Sequence, residues 1–266
     1  MGGFGMVCRV VVGCCGFPFA RARYFQTYRS VEVQQTFYDP PSVDTLRRWR
    51  EEAPEGFVFH VKAWQAVTHS RRSPTWRRIK RSLPGNLDNY GLLRPTEENR
   101  WAWRVTLETA EALGAEYIVL QTPPSLGYSP ENAQRIEEFL SWAVGEARGF
   151  KVGWEPRGDW HEHPEELKRI LCSARVVHIV DPFRRQPIIC DWQRETYFRL
   201  HGIGGGEVNY RYRYTDQDHE KLAETIAKLI DEYGLEKVYV MFNNVYMGQD
   251  AARFREVARQ KGLNVC

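Results

Sequence analysis

No apolar run in this chain approaches a membrane span. The longest near the start, Val10 to Val12 before Gly13, falls far short of the roughly 20 residues that a spanning helix needs. A secretory leader would pair a basic stretch with an apolar one and a small-residue cleavage site, and that pattern is not read here. Met1-Gly2 lacks Ser or Thr at the sixth position, so myristoylation is not expected. These readings place the protein in the cytoplasm. The six cysteines, at 8, 14, 15, 172, 190 and 266, show neither a CxxC nor a zinc-ligand spacing, so reduced thiols are expected. A redox or ligand role for the adjacent Cys14-Cys15 is the minority reading, because free cysteine usually behaves as a small buried hydrophobe. There is no internal repeat, no low-complexity tract, no linker and no nucleotide-cofactor motif. Neither sign of charge dominates: the net charge is +3, which by itself implies no polyanionic partner.

What is present is material for a core. At 266 residues, 42% hydrophobic and 13% aromatic, the chain can build one large domain spanning 1–266. Short β-rich runs recur at Val10–Gly13, Ser30–Phe37, Phe57–Lys62, Tyr117–Gln121, Lys151–Glu155, Val176–Asp181, Tyr197–His201 and Val238–Asn243. Helical patterns lie between them at Ser42–Glu52, Thr96–Leu113, Ser129–Ala147, Pro164–Leu171, Asp216–Tyr233 and Gln249–Lys261. Several open with a capping residue or an early proline, as in SPENAQRI. Strands alternating with helices predict a parallel sheet, and eight such units in this length predict an α/β fold of the (β/α)8 TIM-barrel type over an open doubly wound sheet. The connection from Lys62 to Tyr117 is longer than one βα unit requires. It predicts an insertion at about 66–100, a flap over the mouth of the barrel.

Some motifs read two ways. RRSPTWRRIKR, Arg71 to Arg81, holds six basic residues and no acid; a solvated helix face is weighed slightly above a nucleic-acid contact. GIGGGE after His201 has glycines that let backbone N–H groups approach a phosphate, or else it is a flexible loop. YRYRY, Tyr210 to Tyr214, interleaves cations and aromatics as a base- or sugar-stacking surface does, and a half-buried strand or edge would look the same. His161-Glu162-His163 precedes Pro164 and reads as an exposed turn rather than a metal-ligand set.

The strings SVEVQQTFYDPPS, FVFHVKAWQAVTHS, YIVLQTPPSLGYSPEN, VGWEPRGDW, YFRLHG followed by RYRY, and VYVMFNN together resemble the YecE-like family, known as domain of unknown function 72. The likeness runs in order from about Gly13 to Phe254. It implies a TIM barrel with polar residues at strand ends, and it implies no particular reaction. Gln34-Gln35 and Cys15 depart from the family's usual Asn-Ser and Ser.

Barrel strands alternate inward and outward residues, and active sites sit at their carboxyl ends. SVEVQQTFY then turns Glu32, Gln34 and Thr36 inward and packs Val31 and Val33 on the helices. The same parity places His60 and Lys62 inward on strand three, Glu155 on strand five, and Arg199 with His201 on strand seven. A buried salt-bridge network of Glu32 and Glu155 with Lys62 and Arg199 competes with a pocket of convergent acids, bases and amides; the barrel rule favours the pocket. The expected catalytic set is Glu32, Lys62, Glu155, Arg199 and His201. Glu32 and Glu155 share acid and base roles, the cations stabilise negative charge, and His201 shuttles a proton or is simply packed. His60, one step deeper, reads as structural. Substrate contacts are expected from Gln34, Tyr38, His69, Gln121, Arg157, Gly204, Gly205, Tyr210, Tyr214, Asn243 and Asn244. A divalent metal at Glu32, Glu155, Asp181 or His201 stays open, and the cofactor and oligomeric state are undetermined. The expected function is a hydrolase or lyase acting by general acid–base catalysis on a phosphorylated, sugar-bearing or nucleotidic substrate, endonuclease-like or glycosidase-like. The alternative is a non-catalytic protein that binds a nucleic acid or small phosphate-bearing ligand.

Overall fold

The computed structural model describes residues 8–266, and the Met1-Gly2 reading lies outside the described residues. Eight strands follow one another in chain order round a closed barrel: β1 (Val10–Cys15), β2 (Ser30–Val33), β3 (Val58–Lys62), β4 (Ala115–Gln121), β5 (Lys151–Glu155), β6 (Val177–Val180), β7 (Glu195–Leu200) and β8 (Lys237–Phe242). The helices are α1 (Arg21–Thr27), α2 (Gln35–Tyr38), α3 (Val43–Glu52), α4 (Gln65–Thr68), α5 (Glu97–Leu113), α6 (Pro130–Glu146), α7 (Pro164–Ala174), α8 (Asp216–Tyr233) and α9 (Met247–Gln260). This is the TIM-barrel architecture that the alternation of patterns predicts. Among the described residues no helix is long and apolar enough to cross a membrane.

Two compact units can be distinguished. One runs to Ser30 and resumes over Val180–Ile189 and Gln193–Cys266; the other holds Val31–Ile179 and Cys190–Trp192. In the first, β8 pairs in parallel with both β1 and β7. The chain's last residues extend this pairing, since Val12 N donates to Cys266 O at 3.1 Å and Cys266 N to Val10 O at 3.0 Å. In the second, β3, β4, β5 and β6 pair successively in parallel. Their Val- and Ile-rich sequences suit strands covered on both faces. Gly153 on β5 has no side chain for a packing reason: a Cβ there would sit 2.4 Å from Ile179 Cδ1.

The helix starts follow local chemistry. Ser42, Thr96, Ser129 and Thr215 each accept a hydrogen bond from a backbone N–H of their first turn, which satisfies donors that the helix leaves unpaired. Gly114 and Gly234 end α5 and α8 in the left-handed region.

Three expectations need correction. Ser30–Phe37 is not one strand: β2 stops at Val33 and residues 35–38 turn into α2. Thr36 is therefore not an inward strand residue. Its hydroxyl lies 2.8 Å from Val33 O and 2.7 Å from Lys62 O, so backbone acceptors draw it into a turn. The cysteines are not all reduced: Cys172 on α7 and Cys190 form a disulfide with Cα atoms 5.6 Å apart, while 8, 14, 15 and 266 form none. Finally, of the two readings of YRYRY the strand or edge falls away: Tyr210–Tyr214 forms a turn and extended loop before α8. The segment from Ala63 to Thr96 carries α4 and two short 3-10 turns, Pro74–Arg78 and Leu87–Asn89.

Candidate functional site

In the unit holding β2 to β5, several of the expected residues stand at strand ends. Glu32 is the penultimate residue of β2 and is wholly buried. Gln34, in the turn just after, donates from Nε2 to Glu32 Oε1 at 2.5 Å. Lys62 ends β3, with its ammonium 4.1 Å from the ring centroid of Phe37 on α2. A desolvated cation on an aromatic face is worth about 2 kcal/mol, which helps keep a lysine where water is scarce. Gln121 and Glu155 end β4 and β5 and face each other in register. Arg157 approaches Glu155 Oε1 through Nε at 3.4 Å and Nη2 at 3.3 Å, both side chains being mostly buried. Gln121 gives its amide to Thr122 O at 3.0 Å.

His69 and Tyr38 complete this group. The His69 ring lies edge-on to Phe37 at 5.0 Å, and its Nδ1 is 2.8 Å from Thr68 Oγ1. Burial, and then the charges of Lys62 and Arg157, push its pKa down to about 3, so it works as a neutral imidazole. Phe37 thus touches both Lys62 and His69. Tyr38 lies beside it, its carbonyl taking a hydrogen bond from Gln65 Nε2 at 2.7 Å.

The unit holding β7 and β8 carries the other expected residues. Asp181, directly after β6, accepts from His201 N at 2.8 Å and from Phe183 N at 3.0 Å. His201 is buried, and the Asn243 amide lies 3.1 Å from its Nδ1. Arg199, on β7, is fully buried. The GIGGGE loop shows acceptors rather than donors: the Arg184 guanidinium donates to the carbonyls of Gly202, Gly204 and Gly206. A phosphate nest needs convergent N–H groups instead, and the Gly202 N–H is taken by Tyr214 Oη at 2.8 Å. Gly205 is exposed at the loop tip. Tyr214 is buried, and burial raises its pKa. Asn244 is also buried, donating to Tyr212 O at 2.8 Å and Asp250 Oδ2 at 2.6 Å. Tyr210 is exposed at 42%, its ring 6.0 Å from that of His201.

Three residues that matter here escaped sequence reading. Phe37 was hidden inside a supposed strand, and Arg184 and Asp250 lie on a loop and a helix with no motif around them. Among the described residues no group of three or more His, Cys, Asp or Glu side chains is placed to hold a metal ion.

Eight parallel strands closed in order, with ionisable side chains at their carboxyl ends, define a TIM-barrel protein. The chain belongs to the family described as "Protein of unknown function DUF72", which matches residues 20–264. It is 25% identical over 263 residues to the UPF0759 protein YunF of Bacillus subtilis (strain 168), covering 88% of this chain and 84% of that one. The crystal structure of a DUF72 family protein from Enterococcus faecalis V583 is similar with a TM-score of 0.73 at 18% identity, over 95% of this chain and 98% of that one. The barrel also resembles endonuclease IV from Thermus thermophilus, with a TM-score of 0.55 at 14% identity over 94% and 97% of the chains. A xylose isomerase domain containing protein from Salmonella typhimurium LT2 matches with a TM-score of 0.56 at 13% identity over 97% of each.

Proposed function

We propose that the protein is a hydrolase or lyase working by general acid–base catalysis on a phosphorylated or nucleotidic substrate at the carboxyl ends of β2 to β5. The observation that carries this reading is the unlike company of two buried carboxylates. Glu155 has a guanidinium beside it, Arg157 at 3.3 Å, which favours the ionised form and suits a base. Glu32 is fully buried and accepts a hydrogen bond from Gln34 Nε2 at 2.5 Å, and two carboxylates in different surroundings can divide the acid and base roles between them. Lys62 supplies positive charge for a developing anion. Neutral His69 can give or take a hydrogen bond without adding charge. The phosphodiester part of the reading draws on the presence of an endonuclease among the fold neighbours, by analogy of fold alone.

The test is a turnover screen with bis-p-nitrophenyl phosphate and p-nitrophenyl phosphate, with and without divalent metal, on the wild type and on Glu32→Gln and Glu155→Gln. Each substitution is expected to lower turnover by about 10²-fold or more with the melting temperature preserved. Full turnover in both variants removes the acid–base assignment.

A further inference from the structure

Beside α2 lies a groove of about 570 Å³, within the range of pockets that hold a drug-sized ligand and far larger than a phosphate ion needs. Its lining includes Tyr38, Asp39 and Trp49 together with Arg77, Arg78 and Lys80. Its charge is unbalanced. Asp39 is engaged by Arg81 at 3.3 Å, whereas among the described residues none of Arg77, Arg78 and Lys80 is paired with a carboxylate. All three are exposed. The run that carries them is not a loose loop: Trp76 Nε1 donates to His69 O at 2.8 Å, Gln65 Nε2 to Thr75 O at 3.1 Å, and Arg81 to Pro40 O at 2.8 Å. The cations are therefore presented on a fixed backbone. Arg78 adds a planar surface, its guanidinium carbon lying 3.5 Å from the Tyr38 ring centroid.

We infer that this groove binds single-stranded nucleic acid, with Arg77 and Lys80 on successive phosphates and a base received against the Arg78–Tyr38 pair. Unpaired cations close together on one held segment match a repeating anion, and an aromatic–guanidinium pair is a sequence-tolerant platform for a base. Uniform positive charge without the ring pair would fit any polyanion; the pair is what favours a nucleobase. Tyr38 follows the turn that carries Gln34 and Phe37, so the strand would be held next to the Glu32 and Lys62 strand ends. The inference rests on the proposed function only for what becomes of the bound strand, and not for the binding itself.

Fluorescence anisotropy of a labelled oligothymidylate, titrated with the full-length protein at several salt concentrations, tests it. Wild type should bind with a steep salt dependence. Arg77→Glu, Arg78→Glu and Lys80→Glu combined should weaken binding at least about tenfold and flatten the log–log salt slope by about 1.4, the loss of two single-strand phosphate contacts. Lys168→Glu, Lys221→Glu and Lys228→Glu combined make the same change in net charge on exposed lysines outside the groove and should weaken it far less. Tyr38→Ala should cost about tenfold for the oligonucleotide and little for heparin. Equal losses in the two charge reversals, no binding by wild type, or a Tyr38→Ala variant that binds both polyanions as before would each overturn the proposal. Glu32→Gln and Glu155→Gln should bind as wild type, so failure of catalysis and failure of binding are read separately.

Discussion

His219 and His69 carry the same physics at two places. Neither ring nitrogen of buried His219 has a hydrogen-bond partner among the described residues. It packs between Tyr214, Phe242 and Phe254, and burial, partly opposed by Asp216 and Asp218, pushes its pKa down to about 4. An unfolded histidine titrates near 6.5, so between those values the unfolded chain binds protons that the folded chain refuses. Stability is therefore full above about pH 6.5 and declines as pH falls toward 4. His69, held down to about 3, adds to the same slope. Urea denaturation at pH 7 and pH 5 should show a loss on the order of 4 kcal/mol, about half of it from each histidine, and His219→Phe should reduce it by about half. An unchanged slope in that variant would mean that His219 is not the buried base described. At this scale the sequence was a partial guide. Glu32, Lys62 and Glu155 stood out because charge at a buried strand end is unusual. Phe37 and Arg184 did not, because an aromatic in a β-rich run and an arginine in a loop are ordinary until their neighbours are known.

Local acceptors decided the elements that sequence pattern misjudged. Periodicity alone cannot tell a strand running to Phe37 from one that stops at Val33, since Thr36 satisfies alternation either way. The Val33 and Lys62 carbonyls, the second of them 26 positions away, pull it into α2. The loop after β7 is a similar case. Its glycines permit an anion nest or a cation clasp equally, and Arg184, beyond the end of β6, makes it a clasp. Arg184→Met should release Gly202 to Gly206, speeding amide hydrogen exchange across 202–209 at least about tenfold while exchange in β7 stays slow. Exchange that does not change would show that the loop is held by its other bonds, such as Asn209 N to His201 O at 2.8 Å.

At the level of the molecule, the Cys172–Cys190 disulfide closes a loop of 18 residues, a constraint worth about 3 kcal/mol in the chain-entropy account. Denatured, non-reduced protein should titrate as four thiols, matching the cysteines outside the disulfide. Cys172→Ser with Cys190→Ser should lower stability by about 2–4 kcal/mol and abolish any destabilisation by reductant. Six thiols, or equal stability with and without reductant, would show the bond to be absent in solution.

The repeating alternation of β-rich and helical patterns determined the barrel, its strand order and most element positions, because those depend on local periodicity and on the requirement to bury both faces of a parallel sheet. Parity along the strands likewise determined which charged residues end up out of water. Only the tertiary structure decided what those residues meet: Glu155 an arginine, Glu32 an amide, Lys62 an aromatic ring, and the glycine loop a guanidinium. Such partners lie tens of positions apart or across a turn, and the energy of a charge or a polar hydrogen is set by the atoms within a few ångströms of it, which linear spacing does not encode.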